Sequence, residues 1–351
     1  MTKPAHGPSA VWLLSLAAIL GASGADADPE AGPEQPHARK NPIDRSYDLV
    51  ERELDRFIAG LDRFFGDDNY AATTNESFFR LAPGLRVREG PSFAFKPRLR
   101  ANLQLPRTQH RLGLVLSGRD DDEDALDGGI DDESGFAAGL RAVVFDDEAT
   151  KLRLSIGSRF RPEPDPFVRL RLQRVHTIGV LAIRPSQIAF WELDDGLGER
   201  GRLDLDVRTG PRSLARLRNE ATYGQSTEGV EFRTSFSQFF ALRAGSAWKI
   251  ELRMDAHTRP TSEVVDYRAL VRYRWSMLRE WLFFEVEPGI RFRREDDFDP
   301  APEVYFRIEL VFGSVERLGP FNAGPRATLP ESTTSMPSSS RASGQPPSPR
   351  P

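Results

Sequence analysis

The sequence predicts an all-β fold: a transmembrane, antiparallel, up-and-down β-barrel of about fourteen strands, preceded by one amphipathic α-helix. The first observation behind this prediction is an alternation of apolar and polar residues from about Phe78 to Phe312. The second is that most alternating segments are long enough to cross a bilayer as strands. The third is an N-terminal secretory signal. Because successive side chains of a strand point to opposite faces, a segment such as 202–208 has one apolar and one charged face.

Residues 1–27 have the three parts of a signal peptide. Lys3 supplies the positive start, residues 10–22 form the apolar run, and Ala25 and Ala27 are the small residues of a cleavage site. The apolar run is too short to span a membrane as a helix, which disfavours an uncleaved anchor. Residues 28–41 then form a flexible linker rich in Pro, Ala and Glu. Together with the barrel pattern, this signal predicts a location in the outer membrane of a Gram-negative cell.

Composition excludes several classes of protein. The chain has no cysteine, so it holds no disulfide, thiolate metal site or catalytic thiol. Beyond the signal, no stretch approaches eighteen consecutive apolar residues, so we expect no transmembrane helix. The net charge of −4 is small for 351 residues and argues neither for nor against nucleic acid. We expect no nucleic-acid partner for a barrel of this kind.

A helix is predicted over residues 42–66, in the periplasm. Asn41 can cap it, Pro42 suits its first position, and Gly66 ends it. Its apolar residues recur at steps of three and four and form one stripe: Ile43, Tyr47, Val50, Leu54, Phe57, Leu61 and Phe64. Three surfaces could cover this stripe: the barrel's own periplasmic end, a partner helix in a homo-oligomer through the Ile43–Phe65 helix, or the inner leaflet. Residues 67–77 form a linker to the barrel.

The barrel is predicted over residues 78–313. Its fourteen strands are expected at 78–88, 93–105, 110–118, 136–146, 150–160, 166–175, 180–193, 199–209, 213–223, 228–239, 243–256, 264–275, 281–293 and 303–312. An even number is typical of bacterial single-chain barrels. Pro97, Pro185 and Pro288 lie inside strands, where each removes a ladder donor, and residues 180–193 alternate poorly. Twelve and sixteen strands therefore remain alternatives.

Connection lengths predict the orientation of the barrel. With both termini in the periplasm, the longest acidic connection, 119–134, lies outside and the short connections lie on the periplasmic side. Aromatic residues near the periplasmic strand ends would then form an interfacial girdle: Trp248, Tyr273, Trp275, Trp281 and Phe312. Residues 314–351 form a disordered Ser/Pro-rich tail.

The charged phase of the strands must face the lumen, because an Arg on the lipid face costs about 2–4 kcal/mol at the bilayer midplane. The residues predicted to line the lumen are Arg98, Arg100, Arg169, Arg171, Arg202, Asp204, Asp206, Arg208, Arg216, Arg218, Arg268, Arg272, Arg274, Glu285, Glu287, Arg291, Arg293, Arg307 and Glu309.

Two functions compete for this lumen. As a water-filled passage with an excess of Arg, it would be a narrow passive channel for small, anionic solutes. If opposite charges instead pair across neighbouring strands, it would be a closed structural or interaction barrel. An enzyme is the least favoured alternative, because His257 is the only histidine placed at an outer rim and no GxSxG, phosphate-loop or zinc pattern occurs. We therefore predict a protein that is not an enzyme and that uses no cofactor.

The acidic connection is a weak candidate for a cation site. Asp120, Asp122 and Asp124 copy the 1,3,5 spacing of a calcium loop, but Ala125 stands where the sharp turn needs Gly. We predict no metal site there, and expect a solvated loop beside lipopolysaccharide and outer-membrane lipid.

The last strand, residues 305–312, resembles the C-terminal assembly signal of Gram-negative outer-membrane proteins, which alternates apolar residues and closes on an aromatic, here Phe312. The chain departs from that pattern by continuing to residue 351. Three further stretches, 95–100, 191–198 and 281–289, resemble a family of uncharacterised proteobacterial outer-membrane barrels. The resemblance covers most of residues 43–313. It implies the barrel fold, the outer membrane and the assembly machinery as a partner, and it carries no known activity.

Overall fold

The computed structural model describes residues 42–65, 77–88, 93–105, 108, 111–118, 136–147, 149–160, 163–227, 229–243, 245–277, 279 and 281–313, with helix side chains from Arg52 onward. The predicted signal peptide 1–27, the linker 28–41, all but the last residue of the linker 67–77, the acidic connection and the tail 314–351 lie outside the described residues.

The wall is a single antiparallel sheet. Its segments are β1 Phe78–Ala82, β2 Gly84–Arg88, β3 Phe93–Phe95, β4 Arg98–Gln104, β5 Leu112–Gly118, β6 Phe136–Asp146, β7 Thr150–Phe160, β8 Pro164–Arg174, β9 His176–Ile178, β10 Leu181–Glu192, β11 Gly196–Gly210, β12 Ser213–Gly224, β13 Val230–Arg243, β14 Ser246–His257, β15 Glu263–Ser276, β16 Leu282–Arg293 and β17 Pro300–Gly313. Three pairs of segments (β1 with β2, β3 with β4, β8 with β9) are halves of one strand each. The seventeen segments therefore form fourteen barrel strands.

The sheet closes on itself. β17 pairs with β16 on one side and with β1 and β2 on the other, where Leu81 faces Leu310 and Arg86 faces Tyr305. All other strands pair with their neighbours along the chain. A closed sheet has no free edge, so the strands satisfy each other's backbone groups as a bilayer requires. The prediction of a fourteen-stranded up-and-down barrel is confirmed, and the alternatives of twelve and sixteen strands are wrong.

Prolines interrupt the ladder without breaking the wall. Pro83 and Pro97 separate the halves of the first two strands, and Pro185 in β10 lies opposite the gap between β8 and β9. Near Pro288 the pairing of β16 with β15 is interrupted in the same way. Pro185 and Pro288 remain in register with Leu203 and Val304 on their other sides. Each proline lacks one N–H, so the loss stays local.

Alternation along each strand separates a polar interior from an apolar exterior. On β11, Arg202, Asp204 and Asp206 are buried, whereas Leu203 and Val207 are exposed. Cross-strand register carries this division around the wall, because residues directly opposite each other share a face. Large apolar side chains therefore form an outward band, among them Leu217, Phe236, Leu252, Phe306 and Ile308. Such a band is the lipid-contacting surface of a transmembrane barrel.

Aromatic rings gather outside one end of the barrel, the end at which β1 begins and β17 ends. Rings of Trp248 and Tyr273 lie 4.8 Å apart, those of Tyr273 and Trp275 lie 5.0 Å apart, and Trp281 stacks on Phe312 at 5.6 Å. The predicted girdle is thus confirmed in its position at these strand ends. Its presence fits a membrane–water interface.

One helix, α1 Pro42–Phe65, precedes the wall, within one residue of its predicted bounds. It lies at the same end as the girdle, and this end is named the helix end; the opposite end, which holds the connections 193–195, 225–229 and 294–299, is named the loop end. Among the described residues, no helix combines the length and the apolarity needed to cross a bilayer.

The outward band generates a test of the membrane assignment. Leu217 lies on the outward face in register with Leu205 and Phe236. We expect Leu217→Arg to lower the free energy of unfolding from liposomes by about 2–4 kcal/mol, because the guanidinium then faces hydrocarbon. Denaturant titration followed by tryptophan fluorescence measures this change. Ser226→Arg, in an exposed loop-end connection, is the matched control. Equal effects of the two changes would contradict a lipid-facing surface at Leu217.

Candidate functional site: the lumen and its helix-end mouth

Strand register and burial place all nineteen predicted lumen residues on the inward face. Arg98 and Arg100 lie on β4; Arg169 and Arg171 on β8; Arg202, Asp204, Asp206 and Arg208 on β11; Arg216 and Arg218 on β12; Arg268, Arg272 and Arg274 on β15; Glu285, Glu287, Arg291 and Arg293 on β16; Arg307 and Glu309 on β17. The inward face also holds charged residues that the sequence analysis did not single out: Arg80, Arg159, Asp165, Arg184, Glu192, Arg200, Asp266 and Glu303.

The largest group of ion pairs lies on β15, β16 and β17. Arg307 Nη1 is 2.7 Å from Glu285 Oε1, and Arg274 Nη1 is 3.3 Å from Glu285 Oε2. Arg274 also contacts Glu309, while Arg272 Nε is 2.5 Å from Glu287 Oε2. Three guanidinium groups and three carboxylates thereby balance one another. This arrangement matters because these side chains are nearly all buried, and a buried charge without a partner is costly.

A second group joins β10, β11 and β12. Arg184 Nη2 is 2.6 Å from Asp206 Oδ2, and Arg216 Nε donates to Asp206 Oδ1 at 2.6 Å. Next to them, Arg218 Nε donates to Asp204 Oδ1 at 2.7 Å. The alternating Asp and Arg residues of β11 and β12 face each other in register, so sequence alternation places these opposite charges together.

A third group of ion pairs joins β7, β8 and the end of β10 near the loop end. Arg159 lies 3.5 Å from Asp165, 3.0 Å from Glu192 and 3.9 Å from Asp195, and Arg169 donates to Glu192 at 2.6 Å. Asp165 Oδ1 also accepts the backbone N–H of Leu193 at 2.9 Å. The three carboxylates come within 4.8 Å of one another, a spacing that could hold a cation. Arg159 and Arg169 offset two of the three carboxylate charges, and we assign the cluster a structural role.

These three groups follow the wall. Each of their pairs joins residues on the same, adjacent or next-but-one strands, as with Arg274 on β15 and Glu309 on β17. A network of this kind stiffens the wall. Opposite charges thus pair along the described wall, and the open Arg-lined passage stays a prediction.

Charge is distributed unevenly around the lumen. Inward positions on β10 to β17 carry Arg and acidic residues in near balance. Among the described strand residues, inward positions on β4 to β8 carry two acidic residues, Asp146 and Asp165, against a larger set of basic ones. That set comprises Arg98, Arg100, Arg141, Lys151, Arg153, Arg159, Arg169 and Arg171. One side of the lumen is consequently basic.

At the helix end the inward face of β10 to β17 becomes apolar, and α1 covers it. Six inward side chains from six strands of this half form an apolar arc, named the apolar ring below: Ala182, Leu214, Phe239, Ala247, Phe283 and Val311. They form one buried cluster with Leu54, Phe57, Ile58, Leu61, Phe64 and Phe65 of α1. The ring of Phe64 contacts that of Phe283 edge to face at 5.8 Å, and Phe65 lies 5.4 Å from Phe239. Burial of six large apolar residues is the main force that holds α1 in the mouth.

One acidic residue accompanies the apolar side chains of α1 into the mouth. Asp62, 4% exposed, accepts a hydrogen bond from Arg184 Nη1 at 2.8 Å, and its Oδ1 lies 2.7 Å from Arg216 Nη2. From the other side of the barrel, Arg80 Nη2 donates to the backbone carbonyl of Arg63 at 3.0 Å. The wall thus holds the C-terminal half of α1 by polar contacts on two sides.

The N-terminal part of the described helix contacts the rim of the barrel on β9 and β11. Asp55 accepts a hydrogen bond from Thr177 at 2.8 Å, and the exposed Glu53 lies 3.4 Å from Arg208. The guanidinium of Arg208 also lies 5.4 Å from the centre of the Phe57 ring. From these contacts near β9 and β11, the helix reaches Phe239 on β13 and Phe283 on β16. It therefore crosses the mouth from one rim to the opposite wall.

Of the three coverings that the sequence left open for α1, the barrel's own end covers residues 54–65. No side chains are described for Ile43, Tyr47 and Val50. A homo-oligomer through the Ile43–Phe65 helix therefore stays a prediction, and within the described side chains the apolar stripe is already covered.

Asp62 is the functional residue that the sequence analysis missed. It follows Ile58 by four residues and Leu54 by eight, so it stands on the apolar stripe itself. A carboxylate in that position predicts a buried cationic partner. The presence of Asp62 among apolar residues of the helix is therefore the sequence signal that could have identified it as a contact residue. Arg184 and Glu192 escaped notice because they lie in the strand that alternates poorly around Pro185.

A closed antiparallel wall, an outward apolar band, an aromatic girdle and a charged interior together define a transmembrane β-barrel of the outer-membrane class. No protein-family model matches the chain, and no curated protein matches it. Solved outer-membrane barrels resemble it at low identity. A loop-deletion mutant of OmpT, an outer membrane protein of Vibrio cholerae, shares 10% identity with a TM-score of 0.41, and the match covers 68% of this chain and 98% of that one.

Two further solved structures give similar values. OccK2 (OpdF) of Pseudomonas aeruginosa is 9% identical, with a TM-score of 0.39 and coverage of 69% of this chain and 98% of that one. The CymD monoaromatic hydrocarbon channel is 8% identical, with a TM-score of 0.45 and coverage of 72% and 92%. Sequence identities and TM-scores this low do not indicate a shared solute.

The buried ion pairs generate a stability prediction. We expect Glu285→Ala to lower the free energy of unfolding by about 3–5 kcal/mol, because its removal leaves the buried guanidinium groups of Arg274 and Arg307 without this partner. Glu295→Ala is the control: that side chain is 67% exposed in its pair with Arg293, and such a pair contributes at most about 1 kcal/mol. Denaturant unfolding in detergent micelles measures both changes. A cost at Glu285 no larger than that at Glu295 would contradict the structural role of this group.

Proposed function

We propose that this outer-membrane barrel is a passive channel for small solutes. The observation that supports it best is the exposure of inward charged side chains towards the loop end. The side chains of Arg291 and Arg293 are 28% and 29% exposed, and that of Arg88 is 42% exposed, whereas that of Arg274 near the helix end is 1% exposed. Water therefore reaches a vestibule lined by charged groups, which is the arrangement expected of a passage for polar solutes.

The proposed solutes are anionic. The basic side of the lumen on β4 to β8 and the accessible Arg residues of β16 favour negative charge, and low-dielectric walls strengthen their field. The paired groups on β10 to β17 add little net charge, so the preference arises mainly on one side. This distribution favours small anions over cations of the same size.

A closed structural or interaction barrel is the second candidate. It is favoured by α1, which lies across the helix-end mouth and buries six large apolar residues there. In that case the outer surface, with lipid and lipopolysaccharide as neighbours, would carry the function. Neither candidate requires a catalytic residue or a cofactor.

We propose in addition that both termini lie in the periplasm. The connections 179–180, 211–212 and 244–245 at the helix end are two residues long, and short turns are typical of the periplasmic side of such barrels. In this orientation α1 occupies the periplasmic mouth, and the charged vestibule faces outward.

Single-channel recording in planar bilayers tests the channel. We expect discrete conductance steps from the refolded mature protein, with a reversal potential in a salt gradient that reports anion preference. In the double variant Arg291→Gln/Arg293→Gln we expect that preference to weaken, because two accessible positive charges leave the vestibule.

Arg212→Gln is the control for this measurement, because Arg212 lies in an exposed turn at the helix end, outside the vestibule. An unchanged reversal potential in the double variant would contradict the role of these residues in selectivity. Absence of conductance from a folded barrel, with α1 in place and with α1 released, would favour the closed barrel instead.

A further inference from the structure

We infer that α1 is an autoinhibitory plug, docked in a site built for it at the helix-end mouth, with Asp62 as its latch. This inference rests on the proposed channel, because a plug requires a passage to close. It assigns the regulation of that passage to one helix and to three side chains, Asp62, Arg184 and Arg216.

The apolar ring fits a helix that docks in the mouth. The inward wall is charged along most of its length, yet at the helix end six strands turn small or apolar side chains inward, among them Leu214, Phe239 and Phe283. An apolar ring in a water-filled mouth is unfavourable unless something covers it. The described face of α1 supplies the matching surface, since Leu61 and Phe64 are fully buried against the ring. The ring and the helix face therefore form a complementary pair.

Asp62 completes the charge balance of a buried group of ion pairs on the wall. Arg184, Arg216 and Arg218 meet two wall carboxylates, those of Asp204 and Asp206. Asp62 adds the third carboxylate and contacts Arg184 and Arg216 together. With α1 in place, the charges of this group balance in a buried position. The wall thus carries a two-arginine clamp that recognises an acidic residue on the helix.

The helix α1 can leave the mouth without opening the wall. The barrel closes by direct pairing of β17 with β1 and β2, and α1 forms no part of the strand ladder. Its described contacts with the wall are side-chain contacts and one hydrogen bond from Arg80 to the carbonyl of Arg63. Release of the helix therefore exposes the mouth and preserves the barrel.

Single-channel recording of Asp62→Ala tests the latch. We expect the open probability to rise about tenfold or more over the wild-type protein, because loss of Asp62 removes the contact of the helix with Arg184 and Arg216 and leaves three guanidinium groups facing two buried carboxylates. Glu53→Gln is the matched control on the same helix: its side chain is 65% exposed and its pair with Arg208 lies at the rim. We expect that control to leave the open probability unchanged.

A reversible lock separates release of α1 from any general loosening of the barrel. The chain has no cysteine, so an engineered pair is unique. Asp55 and Thr177 touch through a hydrogen bond of 2.8 Å, which makes Asp55→Cys/Thr177→Cys a suitable pair for oxidation or for a short bis-thiol crosslinker. In the Asp62→Ala background, we expect crosslinking to close the channel and reduction of the disulfide to reopen it. Heat-modifiable gel migration checks that each variant holds a folded barrel, and Asp62→Asn replaces Asp62→Ala if the latter does not refold.

The outcomes distinguish the plug from the channel. Equal conductance in wild-type, Asp62→Ala and crosslinked protein would overturn the plug and leave the channel intact. Silence from every folded variant, with α1 locked or released, would overturn the channel and the plug together. Opening by Asp62→Ala that crosslinking does not reverse would also overturn the plug, because the conductance would then come from elsewhere in the barrel.

Discussion

Inside a bilayer, the backbone N–H and C=O groups of a strand find hydrogen-bond partners only in neighbouring strands, and closure of the wall follows from that constraint. Here β17 meets β1 and β2, so each strand has a neighbour on both sides. Once the ring is closed, the two-residue period of the side chains decides which face each residue occupies. The apolar band, the girdle and the charged lumen all depend on this single register.

Two kinds of packing share the interior. Along the wall, opposite charges meet across one or two strands. Because these pairs are buried, removal of one partner would leave the charge of the other in a costly environment. At the helix end, apolar side chains take over, and α1 is held mainly by burial with Asp62 as the polar exception. The change from charge to apolar surface marks the boundary between the vestibule and the mouth.

Sequence alternation predicted the wall well, because the period of a strand is a local property. The strand positions and the fourteen-strand count follow from it, and the helix bounds follow from the three- and four-residue period between Pro42 and Gly66. The partner of α1 could not be predicted, because an apolar stripe requires a cover and does not identify one. The membership of the ion-pair groups was equally out of reach: Arg274 meets Glu309 two strands away through the reach of its side chain and the curvature of the sheet. Prolines inside the predicted strands argued against those strands, because proline lacks the N–H that a ladder needs. Pro185 and Pro288 nevertheless stay in register with one neighbouring strand each, β11 and β17.

The origin of the apolar ring has a consequence for biogenesis. Its six residues come from β10, β12, β13, β14, β16 and β17, so the ring is incomplete until the final strand has joined the sheet. The helix that fits this ring lies ahead of every strand in the chain. Translation and translocation therefore deliver α1 first, while its seat is finished last. The apolar face of α1 therefore reaches full burial only when β10 to β17 are all in place, which makes the seating of the helix a late step of maturation.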